Sequence, residues 1–329
     1  MSSVVISTRV RLARNLKDYP FPCKLSQQGR EEVIEKVRGA VKNSNSVLAN
    51  DFSFIKMSAL DPRQSVSLVE KRLVSPEFIS DPEGRALLLS SDESLSIMIN
   101  EEDHIRLQVI TKGLSLDEAY DTADKLDTLL DENLDFAFDE KLGYLTQCPT
   151  NLGTGMRASV MLHLPALEKS RAVSRIAGNL SKLGLTIRGA HGEGTEPKGA
   201  LYQLSNQVTL GISEKAAIEN LKNITAQLVA QEEQARERLC KSVDVQDTIA
   251  RSLGVLKYAL VISHDEALKL LSNVRLGIVS GQLTDVTTET IDRLMTAVEP
   301  ATLSVAAGKS LSPHERDIER AKLIQKTLK

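Results

Sequence analysis

Leu95-Ser96-Ile97-Met98-Ile99-Asn100-Glu101-Glu102-Asp103-His104-Ile105-Arg106-Leu107-Gln108-Val109-Ile110 sets a dense polar run between two apolar segments. From Ile105 onward apolar and polar residues alternate, the pattern of a half-buried strand. Ala86-Leu87-Leu88-Leu89 and Leu95–Ile99 read as paired strands around Ser90-Ser91-Asp92-Glu93. Val4-Val5-Ile6, with Val10 and Leu12 beyond, predicts a short strand entering an arginine-rich turn. Helical spacing predicts a helix over 116–131, with Ala119, Ala123, Leu126 and Leu130 near one face. A second helix is predicted over 166–183 with Gly184 as its C-cap. Strands separated by helices without regular βαβ alternation indicate an α+β domain on a largely antiparallel sheet flanked by helices.

After Ser213 the character changes. Ile218, Leu221, Ile224, Thr225 and Leu228 mark a long amphipathic helix, and everything past about residue 250 reads as helical. Ser263-x-x-Glu266 is a capping-box pattern, 288–298 predicts a helix ended near Pro300, and Ser312-x-x-Glu315 caps the last one. The expected division is 1–250 for the α+β domain and 251–329 for an all-α C-terminal domain.

The 329 residues fit about two domains at ~150 residues each. Lys+Arg is 41 against Asp+Glu 44, a formal net charge of −3, so the basic excess of a nucleic-acid binder is missing. With 5 Tyr, 6 Phe and no Trp, a base-stacking platform is also unexpected. No apolar run has the length of a membrane span, and the N-terminus reads as no signal peptide. Cys23, Cys148 and Cys240 are far apart and odd in number, neither a disulfide framework nor a zinc spacing; a reducing cytoplasm is the expectation. Gly308-Lys309-Ser310 imitates the end of a P-loop, but Leu303 stands where the pattern needs glycine.

Four segments carry unusual polar chemistry. Thr8-Arg9-Val10-Arg11 puts two arginines on one face if extended. Asn100–Arg106 concentrates acids with His104 and Arg106. Thr146-Gln147-Cys148-Pro149-Thr150-Asn151-Leu152-Gly153-Thr154-Gly155-Met156-Arg157 joins a lone thiol, small residues and an arginine. Arg188-Gly189-Ala190-His191-Gly192-Glu193-Gly194 reads as a glycine-rich loop with one arginine and one acid. Each alone also reads as ordinary structure: a solvated strand face, an acidic turn, a buried cysteine before a turn, a surface loop. If they converge, Arg9, Arg11, Arg106, Arg157 and Arg188 surround one anionic ligand, and a magnesium nucleotide triphosphate fits such forks. Glu102 and Glu193 then suit a cationic guanidinium acceptor, one of them taking its proton. A Cys148 thiolate would be favoured there and would stabilise the acceptor's charge.

Asn100–Arg106 and Cys148–Gly155 closely resemble signatures of the ATP:guanidino phosphotransferases, and the resemblance runs from about Ser7 to Cys240. It implies an antiparallel sheet flanked by helices, with ATP and Mg2+ as cofactors. It implies that Arg9, Arg11, Arg106, Arg157 and Arg188 bind the nucleotide phosphates, with His104 and Asn151 also at the nucleotide. It also implies that Glu102 and Glu193 handle the guanidinium and that Cys148 is the reactive cysteine; no metal-ligating side chains are expected.

Small-molecule members of this family carry a helical substrate domain before the Thr-Arg-Val-Arg segment, whereas here that segment begins at Ser7 and the extra residues follow the shared region. This arrangement resembles the family's bacterial protein-arginine kinase branch. The branch implies protein substrates bearing exposed arginines, a homodimer, a zinc-binding activator protein and Clp protease machinery as partners, and no membrane. Arg316-Asp317-Ile318-Glu319-Arg320-Ala321 is similar to the branch's Arg-Asp-x-x-Arg-Ala motif, which binds phosphoarginine and regulates activity. Asp317 would pair with the guanidinium and Arg316 or Arg320 with the phosphate; the same spacing is also an ordinary helical charge face. A kinase of a free guanidino metabolite and a phosphoarginine-binding adaptor without turnover are the alternatives.

Overall fold

A computed structural model of the protein describes residues 3–44, 51–190 and 197–329. The chain elements, in order, are β1 (Val5–Arg14), α1 (Gln27–Asn43), β2 (Phe52–Lys56), α2 (Pro62–Glu70), α3 (Pro76–Ser80), β3 (Ala86–Ser90), β4 (Leu95–Ile99), β5 (Ile105–Lys112), α4 (Leu116–Asp131), β6 (Phe138–Asp139), β7 (Gly143–Tyr144), β8 (Met156–His163), α5 (Pro165–Lys169), α6 (Ala172–Lys182), β9 (Leu185–Gly189), β10 (Leu201–Asn206) and α7 (Glu214–Leu239). Five helices complete it: α8 (Val243–Tyr258), α9 (His264–Val279), α10 (Thr288–Ala297), α11 (Pro300–Ala306) and α12 (Pro313–Thr327). Eight strands form one sheet in the order β2-β3-β4-β5-β1-β8-β10-β9, antiparallel at every pairing.

Side chains alternate across a strand, so register decides what each face carries. On one face Val10 and Leu12 of β1 lie beside Leu107 and Val109 of β5 and Ala158 and Val160 of β8. This face is covered by α1, α4, α6 and α7, and the two layers share one large apolar core. Helix α4 presents Leu116, Ala119, Ala123, Leu126 and Leu130 to it, all buried, as the helical spacing predicts.

Among the described residues, the opposite face is covered only at its two ends. At the β3–β4 end, Leu87 and Met98 pack with Leu73, Val74 and Phe78 beneath α2 and α3. At the β8–β10 end, Met161 and Leu201 join the apolar core of the C-terminal helices. Two polar contacts fasten those helices. The Glu70 carboxylate of α2 accepts from the Ala301 and Thr302 amides at the start of α11 (2.8 and 2.6 Å). Arg275 of α9 donates to the Ser3 carbonyl and is paired with Asp292. Between the two covered ends a channel remains over β5, β1 and β8.

The structure corrects three details of the sequence reading. The arginine segment is no turn: it lies inside the ten-residue strand β1, because Val10 and Leu12 impose period two. The helix predicted over 166–183 is two helices, broken at Arg171, whose backbone is left-handed (φ 55°). The helix over 288–298 does end before Pro300, but Pro300 opens α11 as its first residue. Residue 250 falls within α8. The Ser312–Glu315 capping box is complete, while Ser263 accepts the Glu266 amide.

Candidate active site

Register gathers the arginines. Arg11 is opposite Arg157 on β8 and Gln108 on β5, and Ala13 is opposite Arg106. Arg9 is opposite Ser159, Ser159 opposite Ser205, and Gln203 opposite Arg188. Arg9, Arg11, Arg106, Arg157 and Arg188 therefore share one face, the face whose middle is open. Arg188 was expected in a loop; it stands on strand β9. His191 and Glu193 lie outside the described residues.

Electrostatics shows how close these cations are. Burial lowers the Arg9 pKa to about 10, helped by Arg72, Arg106 and Arg157. Arg11 is held well below its ordinary value by burial, then by Arg9, Arg106 and Arg157, with Glu101 the attractive partner. Arg157 is lowered by burial and Arg188, with Cys148 and Glu102 acting the other way. The Nε atoms of Arg9, Arg11 and Arg157 are buried and meet no hydrogen-bond acceptor among the described residues. A buried, unpaired donor on a charged group is costly. Three in one cluster mark a place built for an anion with several oxygens, which a nucleotide polyphosphate supplies.

The acids come from the turn between β4 and β5. Asn100 has a left-handed backbone (φ 64°), a conformation asparagine tolerates, and its amide donates to the carbonyls of Arg30 and Gly84. The turn then directs Glu101 and Glu102 to Arg106, at 2.5 and 2.9 Å. Ser75, the N-cap of α3, hydrogen-bonds Glu101 from behind. Glu101 is buried, whereas the Glu102 side chain is 37% exposed and faces the channel. A cavity of about 180 Å3 is lined by Arg11, Glu102, Arg106, Cys148, Asn151 and Arg157, together with Ala13, Thr150 and Gly155. A second cavity of about 670 Å3 on the same sheet face is lined in part by Arg9 and Gln203. Arg9 donates to the Gln203 side chain at 2.7 Å.

Asp103, to which the sequence reading gave no role, ties the two signature segments together. Its fully buried carboxylate accepts from Asn15 (2.6 Å) and from the Gln147 amide (2.8 Å). Burial raises its pKa against those hydrogen bonds. The thiol loop closes on itself, with Cys148 Sγ 3.0 Å from the Thr150 hydroxyl. Gly155 lets the loop pass under β1: a Cβ there would lie 2.6 Å from the Ala13 carbonyl, and φ is 60°. Arg14 holds the loop from below, bonded to the Thr154 carbonyl and Asp127 and stacked 3.4 Å over Tyr144.

His104 is not in the channel. Its ring is fully buried, Nδ1 accepting from the Leu16 amide and Nε2 lying 2.9 Å from the Pro20 carbonyl. Burial lowers its pKa to about 4. It is a neutral strut beneath the turn, with both nitrogens occupied. In the C-terminal motif, Arg320 is also buried, donating to the carbonyls of Val298 and Ile262 and pairing with Asp317 at 2.6 Å. Its Nε and Nη1 are held by the fold; Arg316 and Asp317 remain half-exposed beside it.

An antiparallel sheet with an arginine-lined channel, two acids on one of the arginines and a thiol in the same cavity defines a phosphoryl-transfer enzyme of the guanidino kinase type. The chain belongs to the ATP:guanido phosphotransferase family: residues 32–235 match its C-terminal catalytic domain, and residues 242–329 match the protein-arginine kinase McsB C-terminal domain. The protein-arginine kinase of Caldanaerobacter subterraneus subsp. tengcongensis is 47% identical over 327 residues, 99% of this chain and 97% of that protein. That of Halothermothrix orenii is 50% identical over 327 residues, covering 99% and 93%. Among solved structures, the duplicated taurocyamine kinase of Schistosoma mansoni superposes with a TM-score of 0.63 at 31% identity. The match covers 70% of this chain and 33% of that duplicated one. A lombricine kinase superposes with the same TM-score at 26% identity, covering 71% and 67%.

Proposed function

We propose that the protein transfers the γ-phosphoryl group of ATP to a guanidinium nitrogen of arginine residues in proteins. The observation that carries this reading is the single sheet face joining Arg9, Arg11, Arg106 and Arg157 to Glu102 and Cys148. Full-length similarity to proteins named protein-arginine kinase supports the acceptor.

The polyphosphate lies along Arg9, Arg11, Arg157 and Arg188, where the buried Nε donors find acceptors. The γ-phosphoryl end reaches the small cavity and the nucleoside end the large one. No group of three or more His, Cys, Asp or Glu is gathered for a metal among the described residues. Magnesium, carried on the phosphates, would supply further charge neutralisation as negative charge moves toward the leaving ADP. The acceptor guanidinium enters beside Glu102 and Cys148. Its nitrogen forms the new N–P bond, the bond from γ-phosphorus to the ADP oxygen breaks, and the N–H proton passes to Glu102. Cys148 orients the acceptor. Positioning and charge neutralisation account for most of what phosphoryl transfer requires.

The same reading assigns 251–329 as a regulatory and dimerisation domain, with Arg316, Asp317 and Arg320 as its phosphoarginine motif. Exposed Tyr258 and Leu260 support a protein-facing surface there. A cytoplasmic setting accords with three free cysteines; the activator protein and Clp machinery belong to this reading by resemblance.

The test is transfer of γ-labelled phosphate from Mg-ATP to an unfolded protein and, in parallel, to free arginine, scored for acid lability. Acid-labile label on protein, lost in Glu102→Gln, is expected. Label on free arginine alone would make this a metabolite kinase. Phosphoarginine binding without any transfer would make it an adaptor.

A further inference from the structure

The large cavity beside the arginine cluster is not a property of the sheet alone. Its floor is Arg9, Ser159 and Gln203, but one wall is helix α10. The helix is two-sided: Ile291, Leu294 and Met295 are buried in the C-terminal core. Glu289, Asp292, Arg293 and Thr296, spaced i, i+3, i+4 and i+7, line the cavity. Asp292 is committed to Arg275. Arg293 makes no hydrogen bond or ion pair with the described residues, is exposed, and lines the cavity that also holds Arg9 and Arg72. The lining also includes Glu70 and Glu289, and Glu299 opposes the charge of Arg72, so Arg293 is a cation on this wall whose donors stay open to a ligand's oxygens.

We propose that α10 is part of the nucleotide site, and that Arg293 binds the ribose end of ATP. The inference rests on placing the nucleoside in the large cavity. It gives the C-terminal helices a direct place in substrate binding. Docking of those helices on the sheet and nucleotide affinity are then linked, each strengthening the other by the same factor.

The experiment is titration of the full chain with Mg-ADP and, separately, with magnesium tripolyphosphate, which lacks ribose and base. Arg293→Ala should weaken Mg-ADP about tenfold, the size of one charge-assisted hydrogen bond, and leave tripolyphosphate within about twofold. It should raise the KM for ATP with little change in kcat, and Arg293→Lys should recover part of the loss. Arg11→Ala is the reference and should weaken both ligands. If Arg11→Ala weakens both while Arg293→Ala binds Mg-ADP normally, the wall assignment is wrong and the nucleotide reading stands. If neither variant changes Mg-ADP binding, the placement of the nucleotide itself fails. Because Arg293 is exposed, its variants should melt like the parent without nucleotide; an equal loss of both ligands together with a lowered melting temperature would overturn the proposal in favour of a structural role.

Discussion

Two sets of arginines are withdrawn from water in this molecule, one fully and one in part, and they differ in what their donors meet. Arg14, Arg275 and Arg320 are almost fully buried, and each has a carboxylate and at least one backbone carbonyl as partners. Arg9, Arg11 and Arg157, on the open face of the sheet, have buried Nε donors without acceptors and chiefly one another as neighbours. The first set joins strands to loops and the catalytic part to the C-terminal helices. The second set is the proposed binding surface. The two sets differ in burial, and the satisfaction of their donors separates them further.

The comparison breaks if members of the two sets respond alike to truncation. The largest effect is expected at Arg157. Arg157→Ala should lower turnover by about two to three orders of magnitude, the usual cost of removing a preorganised charge from a phosphoryl-transfer site. Unfolding by urea should change little. Normal turnover in a folded Arg157→Ala chain would remove the phosphate role and leave the cluster unexplained.

Arg320→Ala should do the reverse. It strands the carbonyls of Val298 and Ile262 and leaves Asp317 without its partner. A loss of about 3 kcal/mol in stability is expected from the urea midpoint, with turnover per folded molecule close to that of the parent. Unchanged stability with altered activity would place Arg320 among the ligand-binding arginines, as its motif had suggested.

The same contrast explains what could be read from the sequence. The alternation in Ile105–Ile110 and the apolar spacing of 116–131 show the sheet's buried face and a helix on it, because these are local periodicities. The candidate site residues were visible as motifs, and β1 and β8 bring Arg11 and Arg157 opposite each other. His104 was misplaced because nothing local tells a ring facing a channel from one pinned between the backbones of residues 16 and 20. The anchoring of Arg320 left no local sign either, since its carbonyl acceptors are 22 and 58 residues away. The docking of α11 on Glu70 spans more than two hundred residues and leaves no periodic trace. What stayed hidden was the partner of each polar group, a long-range property, rather than the group itself.

The smallest effect is the most discriminating. Arg11 is pressed by Arg9, Arg106 and Arg157, with Glu101 alone opposing them, and burial adds to the disfavour of its charge. In the absence of nucleotide it should therefore work against folding. Replacing it with an uncharged chain of similar reach, Arg11→Met, removes the repulsion and the unpaired Nε while keeping most of the packing. The nucleotide-free protein should become more stable by about 1 kcal/mol, as when other buried charges are replaced by apolar residues. The gain should vanish when Mg-ADP is added, because the parent then acquires binding stabilisation that the variant lacks. A structural arginine predicts the opposite sign. If Arg11→Met melts below the parent without nucleotide, then Glu101 and the strand neighbours hold Arg11 more firmly than its like charges repel it. The line between the two sets of arginines would then have to be redrawn with Arg11 on the structural side.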